Sequence, residues 1–290
     1  MHLDQAGYRE WGGTRRSPWW ACLTLARVGL GIIFRRWVFW VLIGLGLMNF
    51  LFHFAFIYLK ATLIIQSRDL ERFLDSFKVT GTGGAYADFM NLQAAITMLL
   101  LAFAGSALIG SDYRQGGMVF YLSRAIDRRH YIVGKLLSIA SVVAVITVIP
   151  AIVLYVEYGM LSNSLTYFRE NWRILVGILG YGFVLASVQS VLLFAVAAWV
   201  PRTVPLVMSW LGLFALLGAL AEALWRINRN ERWKLISLGE DMHQAGIWFF
   251  GMAPTDPRPS LTETVGVLVG VCAAGLLLII RRVRAVEVVR

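Results

Sequence analysis

The residues able to do chemistry in this chain are few and scattered. Its four histidines (His2, His53, His130 and His243) fall in different segments, and there is no His-Glu-x-x-His run or Cys-x2-Cys pair. Metal sites depend on that close spacing, so no metal centre is expected. Cys22 precedes the first long apolar run and Cys272 lies within the last, which does not indicate a disulfide framework. Gly105-x4-Gly110 has the glycine spacing of a phosphate loop. Ser111-Asp112 follows it, however, where a lysine and a hydroxyl must reach the phosphates and magnesium. The chain is therefore not expected to hydrolyse ATP through such a loop. Polar residues inside apolar runs are costly in lipid and are functional candidates by default. Two qualify at depth, His53 and Gln189, either as lining of a substrate path or as hydrogen-bond partners of a neighbouring helix. Glu157 and Glu222 stand near the ends of their runs, where headgroup contact accounts for them.

The elements that must position these residues are apolar and long. Of 290 residues, 58% are hydrophobic and 15% charged, with a mean hydropathy of +0.67. Soluble domains run at roughly 45–50% apolar and about 25% charged, so lipid is the expected solvent for much of this surface. Six apolar runs stand out: 37–59, 89–110, 136–158, 174–200, 204–224 and 261–280. Each has about the 20 residues that a spanning helix needs. Strand alternation is not sustained at the length required by a membrane barrel. The expected fold is an all-α membrane protein of six transmembrane helices. A cytoplasmic arm (1–36) precedes the transmembrane domain (37–280), and a basic tail (281–290) follows it.

Orientation follows from Lys and Arg. With the N-terminus cytoplasmic, most of the 27 basic residues lie inside, including Arg15, Arg16, Arg35, Arg36, Arg128, Arg129, Lys135, Arg202, Arg281 and Arg282. Both termini are thus placed in the cytoplasm of a plasma (inner) membrane. The net charge of +10 is read as this bias and as attraction to lipid headgroups. The cations flank apolar runs rather than forming a patch, so no nucleic-acid partner is expected. Ser17-Pro18 opens a short apolar segment, Trp19–Phe34, with Arg27 near its middle. It is expected as an interfacial amphipathic helix, with a short seventh span as the alternative. Residues 60–80 are expected to continue as a helix until the Gly81–Gly84 break. Between the last two runs, Ile247–Phe250 is too short to span and should dip into the outer interface or pack on the bundle. Pro150 predicts a kink in the third span. Small residues recur at Ala102, Ser106 and Gly110 and at Gly266, Gly270 and Ala274. Such stripes let helices approach closely, within the chain or at a dimer seam.

The densest charged segment joins the second and third runs. Gly110-Ser111-Asp112-Tyr113-Arg114-Gln115-Gly116-Gly117 ends one helix. A short apolar stretch follows, and Asp127 can cap a basic helix that leads into the third run. This is either a surface for a soluble partner or an ordinary positively charged loop. Asp112, Gly116, Gly117, Leu122-Ser123, Ile126, Arg128, Tyr131, Gly134 and Lys135 occur in the order and spacing of a known signature. The segment resembles that of ABC-2-type transporter permeases. Asp112 stands where glutamate is usual there, Met118 where threonine is commoner, and Ala125 replaces a proline.

The resemblance implies the membrane subunit of an ABC exporter, working as a pair of permeases, usually two identical copies. Each copy would sit on a separate cytoplasmic ATPase that binds ATP and magnesium, while this chain itself binds no cofactor. On that basis Asp112, Arg114, Met118, Leu122, Arg124, Asp127, Arg128, Arg129 and Lys135 are the expected ATPase-coupling residues. Two other classes stay open: an ABC-type anchor driving an envelope process without solute transport, and an integral membrane enzyme. Glu222-x3-Arg226 resembles one element of CAAX-type intramembrane proteases, but their histidine motifs are missing.

Overall fold

A computed structural model describes residues 18–63, 81–117, 127–162, 165–253 and 258–283. Among these no strand occurs. Helix α1 (Pro18–Phe34) precedes α2 (Trp37–Leu63). Helix α3 (Gly83–Gly105) passes through a π-helical turn, Ser106–Gly110, into the short Ser111–Arg114 helix. Then follow α4 (Arg128–Ile146), α5 (Val148–Leu161), α6 (Leu165–Glu170) and α7 (Trp172–Trp199). Next come α8 (Thr203–Leu211), a second π turn and α9 (Leu217–Asn228). A 3-10 turn (Glu231–Ile236), α10 (Leu238–Phe249) and α11 (Leu261–Arg282) complete the chain.

Six helical stretches are long and apolar enough to cross a membrane: Trp37–Lys60, Gly83–Arg114, Arg128–Leu161, Trp172–Trp199, Thr203–Asn228 and Leu261–Arg282. They cover the six apolar runs of the sequence. The second and third are longer than expected at both ends, with 32 and 34 residues. At 1.5 Å per residue these reach roughly 48–51 Å, well beyond a hydrocarbon core of about 30 Å. Their ends therefore project past the apolar belt. The third is interrupted at Thr147, three residues before Pro150, which has no N–H to continue the helical ladder.

Helix α7 forms the centre of the bundle and packs against α3, α4, α10 and α11. Its face of Ile178, Tyr181, Leu185, Leu193, Phe194 and Ala197 is buried. One end of the bundle gathers the start of α2, residues 111–117 and 127–135, and the end of α11, and it is called the basic end below. At the far end α11 starts with a full capping box: Ser260 Oγ accepts from the Glu263 N–H, and the Glu263 carboxylate accepts from the Ser260 N–H.

The stripes, the Asp127 cap and α1 take specific places. Ala102, Ser106 and Gly110 are buried as a packing stripe, but Gly266, Gly270 and Ala274 are exposed. The packed face of α11 is Thr264, Leu268, Gly275 and Ile279. Gly266 and Gly270 lie two residues on from Thr264 and Leu268, about 200° around the helix at 3.6 residues per turn. Asp127 occupies the N-cap position of α4, yet its side chain makes no capping hydrogen bond. Helix α1 is not sharply amphipathic: Cys22, Ala26 and Ile33 are buried, while Trp19, Trp20, Leu23 and Val28 are exposed beside Thr24 and Arg27. The helix expected over residues 60–80 lies mostly outside the described residues, as do the arm before residue 18 and the tail after 283.

Candidate functional site

Two polar centres interrupt the apolar bundle. The first, at the basic end, is built by the projecting ends of α3 and α4. Lys135 Nζ lies 2.7 Å from Asp112 Oδ2 and donates to the Leu108 carbonyl at 2.6 Å. Tyr131 Oη donates to the same Asp112 oxygen at 2.8 Å. The Lys135 and Asp112 side chains are only 9% and 12% exposed. Tyr131 is fully buried, its ring edge-on to Phe194 of α7 at 6.2 Å. Tyr131 and Lys135 sit four apart on one face of α4, so both reach back to the α3 terminus.

The π turn is the other half of this clamp. Thr203 Oγ1 donates to Ser106 Oγ at 2.9 Å, tying the start of α8 to the turn. Arg282 Nε donates to the Ala198 carbonyl at 3.2 Å, and its guanidinium stands 5.7 Å from the Tyr113 ring and 5.4 Å from the Trp199 ring. Helix ends that are neighbours only through their loops are thereby held by side chains.

Helix α1 lies along α4 beside the clamp. A Cβ added at Gly134 would collide with Leu25, and one at Gly29 with Ser138, so the two backbones approach through glycine. Cys22 Sγ donates to the His130 carbonyl at 3.3 Å, and the Trp19 ring meets the His130 ring edge-on at 4.8 Å. Burial pushes the Cys22 thiol above its ordinary pKa.

Of the residues expected to couple to a partner, Asp112 and Lys135 are thus turned inward upon each other. Arg114 and Arg129 are exposed and Arg128 partly so. Asp127 is 83% exposed, its carboxylate 3.8 Å from His130 Nδ1. Met118, Leu122 and Arg124 lie outside the described residues.

The second centre is towards the far end. Gln189 of α7 is buried, and its Oε1 has no hydrogen-bond partner. It lines a cavity of about 240 Å³ with Asn91, Met98, Tyr181, Phe214 and Glu240. The roof comes from α10, which packs into the bundle: Cβ atoms at Gly177 and Gly180 would meet Phe250 and Phe249. The apolar 247–250 piece therefore packs on α7. Gln244 Nε2 donates to the Pro259 carbonyl at 2.7 Å, and its Oε1 accepts from Thr264 at 3.0 Å. Glu240 pairs with Arg258 at 3.0 Å. Asp241 is almost fully buried, and desolvation, reinforced by the Glu240 charge, raises its carboxyl pKa to about 7 against the pull of Arg258. Desolvation, then the Arg258 charge, lowers the pKa of His243, whose Nδ1 lies 3.4 Å from Tyr181 Oη.

His53 does not line this cavity. Its Nδ1 bonds the Asn49 carbonyl at 2.9 Å within its own helix, and its ring meets Phe89 edge-on at 5.0 Å. Sequence reasoning missed Asn91, Glu240, Asp241 and Gln244. The available signal was Leu238, Met242, Ala245 and Phe249, an apolar helical face that turns their charged neighbours into part of a packed helix. Among the described residues no group of three or more His, Cys, Asp or Glu side chains is placed to hold a metal ion.

No protein-family model matches the chain, and no curated protein matches its sequence. The functional reading therefore rests on the two centres and on the resemblance of the 112–135 segment.

Proposed function

We propose that this chain is the membrane-spanning permease subunit of an ATP-binding-cassette transporter of the ABC-2 type, acting as an exporter. A separate cytoplasmic ATPase would bind and hydrolyse ATP, and two permease copies, most simply identical, would form the pathway. Both termini would face the cytoplasm. The observation that carries the reading is the Asp112–Lys135–Tyr131 clamp. It lies within the segment whose sequence resembles the ABC-2 signature, and it binds the end of the second span to the start of the third. A soluble motor moves a bundle only through a connection stiffer than the motion it drives. The clamp supplies that stiffness, while the exposed Arg114 and Arg129, with Arg128, supply charge for the partner's surface. Closure of the ATPase would then rock the spans as rigid bodies. Gln189 and its cavity are the candidate stretch of substrate path.

Purification of the full chain from its native membranes tests this. A P-loop ATPase is expected to copurify. Exposed ion pairs contribute about 0–1 kcal/mol each, and double reversal, Arg128→Glu with Arg129→Glu, adds repulsion. Together these should cut ATPase recovery about tenfold while membrane insertion is unchanged. Recovery at the parental level would overturn the coupling assignment.

A further inference from the structure

Arg35 and Arg36 stand where the chain turns from α1 into α2. Helix α1 runs beside α4 in the same direction: Cys22 and Leu25 face Gly134, Gly29 faces Ser138, and Ile33 and Phe34 share a cavity wall with Val142 and Val145. The corner that follows Phe34 is therefore level with the third apolar run, 136–158, and not with its basic start at 128–135. The corner is tightly bonded. The backbone N–H groups of Arg35, Arg36 and Phe39 donate to the Gly31, Ile33 and Arg36 carbonyls at 3.2, 3.2 and 3.1 Å. Trp40 Nε1 closes the turn by donating to the Phe34 carbonyl at 2.9 Å. Buried Ile33 and Phe39 anchor its two sides, while Arg35, Arg36 and Trp37 are exposed.

Two guanidiniums at that level need an anion. Arginine stays charged in proteins, and a charge among hydrocarbon is costly unless it is paired. Residues 18–63 contain no Asp or Glu, and α4 and α5 have none between Asp127 and Glu157. Asp127 stands near His130, which meets Trp19 at the other end of α1. At 1.5 Å per residue that is roughly 24 Å from Arg35. Asp112 is engaged by Lys135 and Tyr131. Among the described residues no carboxylate is paired with Arg35 or Arg36. The surrounding lipid supplies the missing anion as phosphate, whose oxygens match the guanidinium fork. A zwitterionic headgroup brings a cation of its own, so two arginines without an acid favour a lipid of net negative charge. Exposed Trp37 and Trp40 belong to the residue type that sits at headgroup level. We infer that the α1–α2 corner is a binding site for an anionic glycerophospholipid. Its phosphate accepts from Arg35 and Arg36, and its acyl chains lie along the exposed Val38, Val41 and Leu45 face of α2. The site needs only the helix bundle in lipid and is independent of any ATPase.

The test uses the full chain purified in detergent, with phosphatidylglycerol or phosphatidylcholine of identical acyl chains added at equal concentration. Native mass spectrometry counts the lipid bound. The parental chain should bind phosphatidylglycerol about tenfold more tightly than phosphatidylcholine, as charge-assisted hydrogen bonds allow. Arg35→Gln with Arg36→Gln should bring phosphatidylglycerol down to the phosphatidylcholine level. Arg202→Gln with Arg281→Gln removes the same charge from other exposed positions and should leave the preference intact. Arg35→Lys with Arg36→Lys keeps the charge without the fork and should retain part of the preference. Equal binding of the two lipids by the parental chain would mean annular lipid only and would overturn the site. So would a preference that survives the paired Gln substitution at the corner, or one that the Arg202 and Arg281 pair abolishes equally. Conversion of a parental dimer into monomers by the corner substitution, with lipid binding unchanged, would place the counter-ion on a second copy and overturn it too.

Discussion

Replacing Lys135 by methionine keeps the length of the side chain and removes its charge. Asp112 would then keep the Tyr131 hydroxyl but lose its cation, in a place where only 12% of the side chain reaches solvent. Removing one partner of a buried ion pair costs about 3–5 kcal/mol, because the charge left behind is neither hydrated nor paired. Asp112→Asn should cost somewhat less, since the Lys135 ammonium keeps the Leu108 carbonyl at 2.6 Å. The double variant removes both charges, and buried pairs replaced by neutral groups are often close to neutral in stability. It should therefore be more stable than Lys135→Met alone, and the cycle should show a coupling of about 2–3 kcal/mol. The 11 tryptophans allow melting to be followed by intrinsic fluorescence in detergent. For a chain of this size roughly 2–4 °C accompanies each kcal/mol. Lys135→Met should thus lower Tm by roughly 6–20 °C at a fixed scan rate. A single-variant shift within about 2 °C, or a double variant whose loss equals the sum of the singles, would refute the clamp.

Other consequences follow from the same contacts. Gln189→Leu removes a buried oxygen that has no partner, so Tm should hold or rise slightly, while substrate-dependent ATP turnover of the purified complex should fall several-fold. A drop in Tm with unchanged turnover would make Gln189 structural. Asp241 has its pKa raised in the fold, from 3.8 to about 7, so the folded state holds its proton more tightly than the unfolded one. Its contribution is complete below pH 4 and is lost as pH climbs towards 7, at up to about 1.4 kcal/mol per unit. Tm against pH should therefore fall across that window, and the fall should flatten in Asp241→Asn. Gly134→Leu should push α1 off α4 at a cost of about 1–3 kcal/mol and expose Cys22. Maleimide labelling in a Cys272→Ser background should then rise at least several-fold above the parental level.

The six long apolar helices were legible because apolar runs of about 20 residues stand out in a sequence. Their ends were less so. Gly83-Gly84 read as a break, yet buried Tyr86 stands in the helix that begins there, and the basic helix expected after Asp127 is continuous with the third apolar run, with Tyr131 buried in it. Asp112 and Lys135 were picked out as types, but both were read as surface charges. Only the return of α4 against α3 brings them to 2.7 Å, and no periodicity encodes a distance between two helices. The α11 stripe shows the converse: the spacing of Gly266, Gly270 and Ala274 is right for close packing, but spacing does not say which face turns inward. Gln189 was recognisable as a polar residue in an apolar run. Its cavity was not, because the roof comes from α10, which lies in a segment read as a loop.

The distribution of polar bonds separates the helices into two groups. Spans two, three and five are linked by Lys135 to Asp112 and Leu108, Thr203 to Ser106, and Trp210 Nε1 donating to the Met98 carbonyl at 2.9 Å; Arg282 joins span six to span four at the Ala198 carbonyl and to span two over the Tyr113 ring. The first span joins none of these links. Helix α2 is held by the Gln93–Gly46 bond, by Trp40 Nε1 donating to the Phe34 carbonyl, and by the burial of Phe39 and Ile57, with only 11% of its apolar stretch buried against 72% for the second span. Local stability follows the density of buried contacts. The α2 helix is thus the span whose displacement costs least, and α1, which joins it through Arg35 and Arg36, is seated on the clamp-bearing α4. A pull on the clamp would be carried by these contacts into spans two to six, and into the first span through the Gln93–Gly46 bond and through α1. Relative motion within the bundle, where it occurs, is expected first between α2 and its neighbours, which the smallest buried share holds in place.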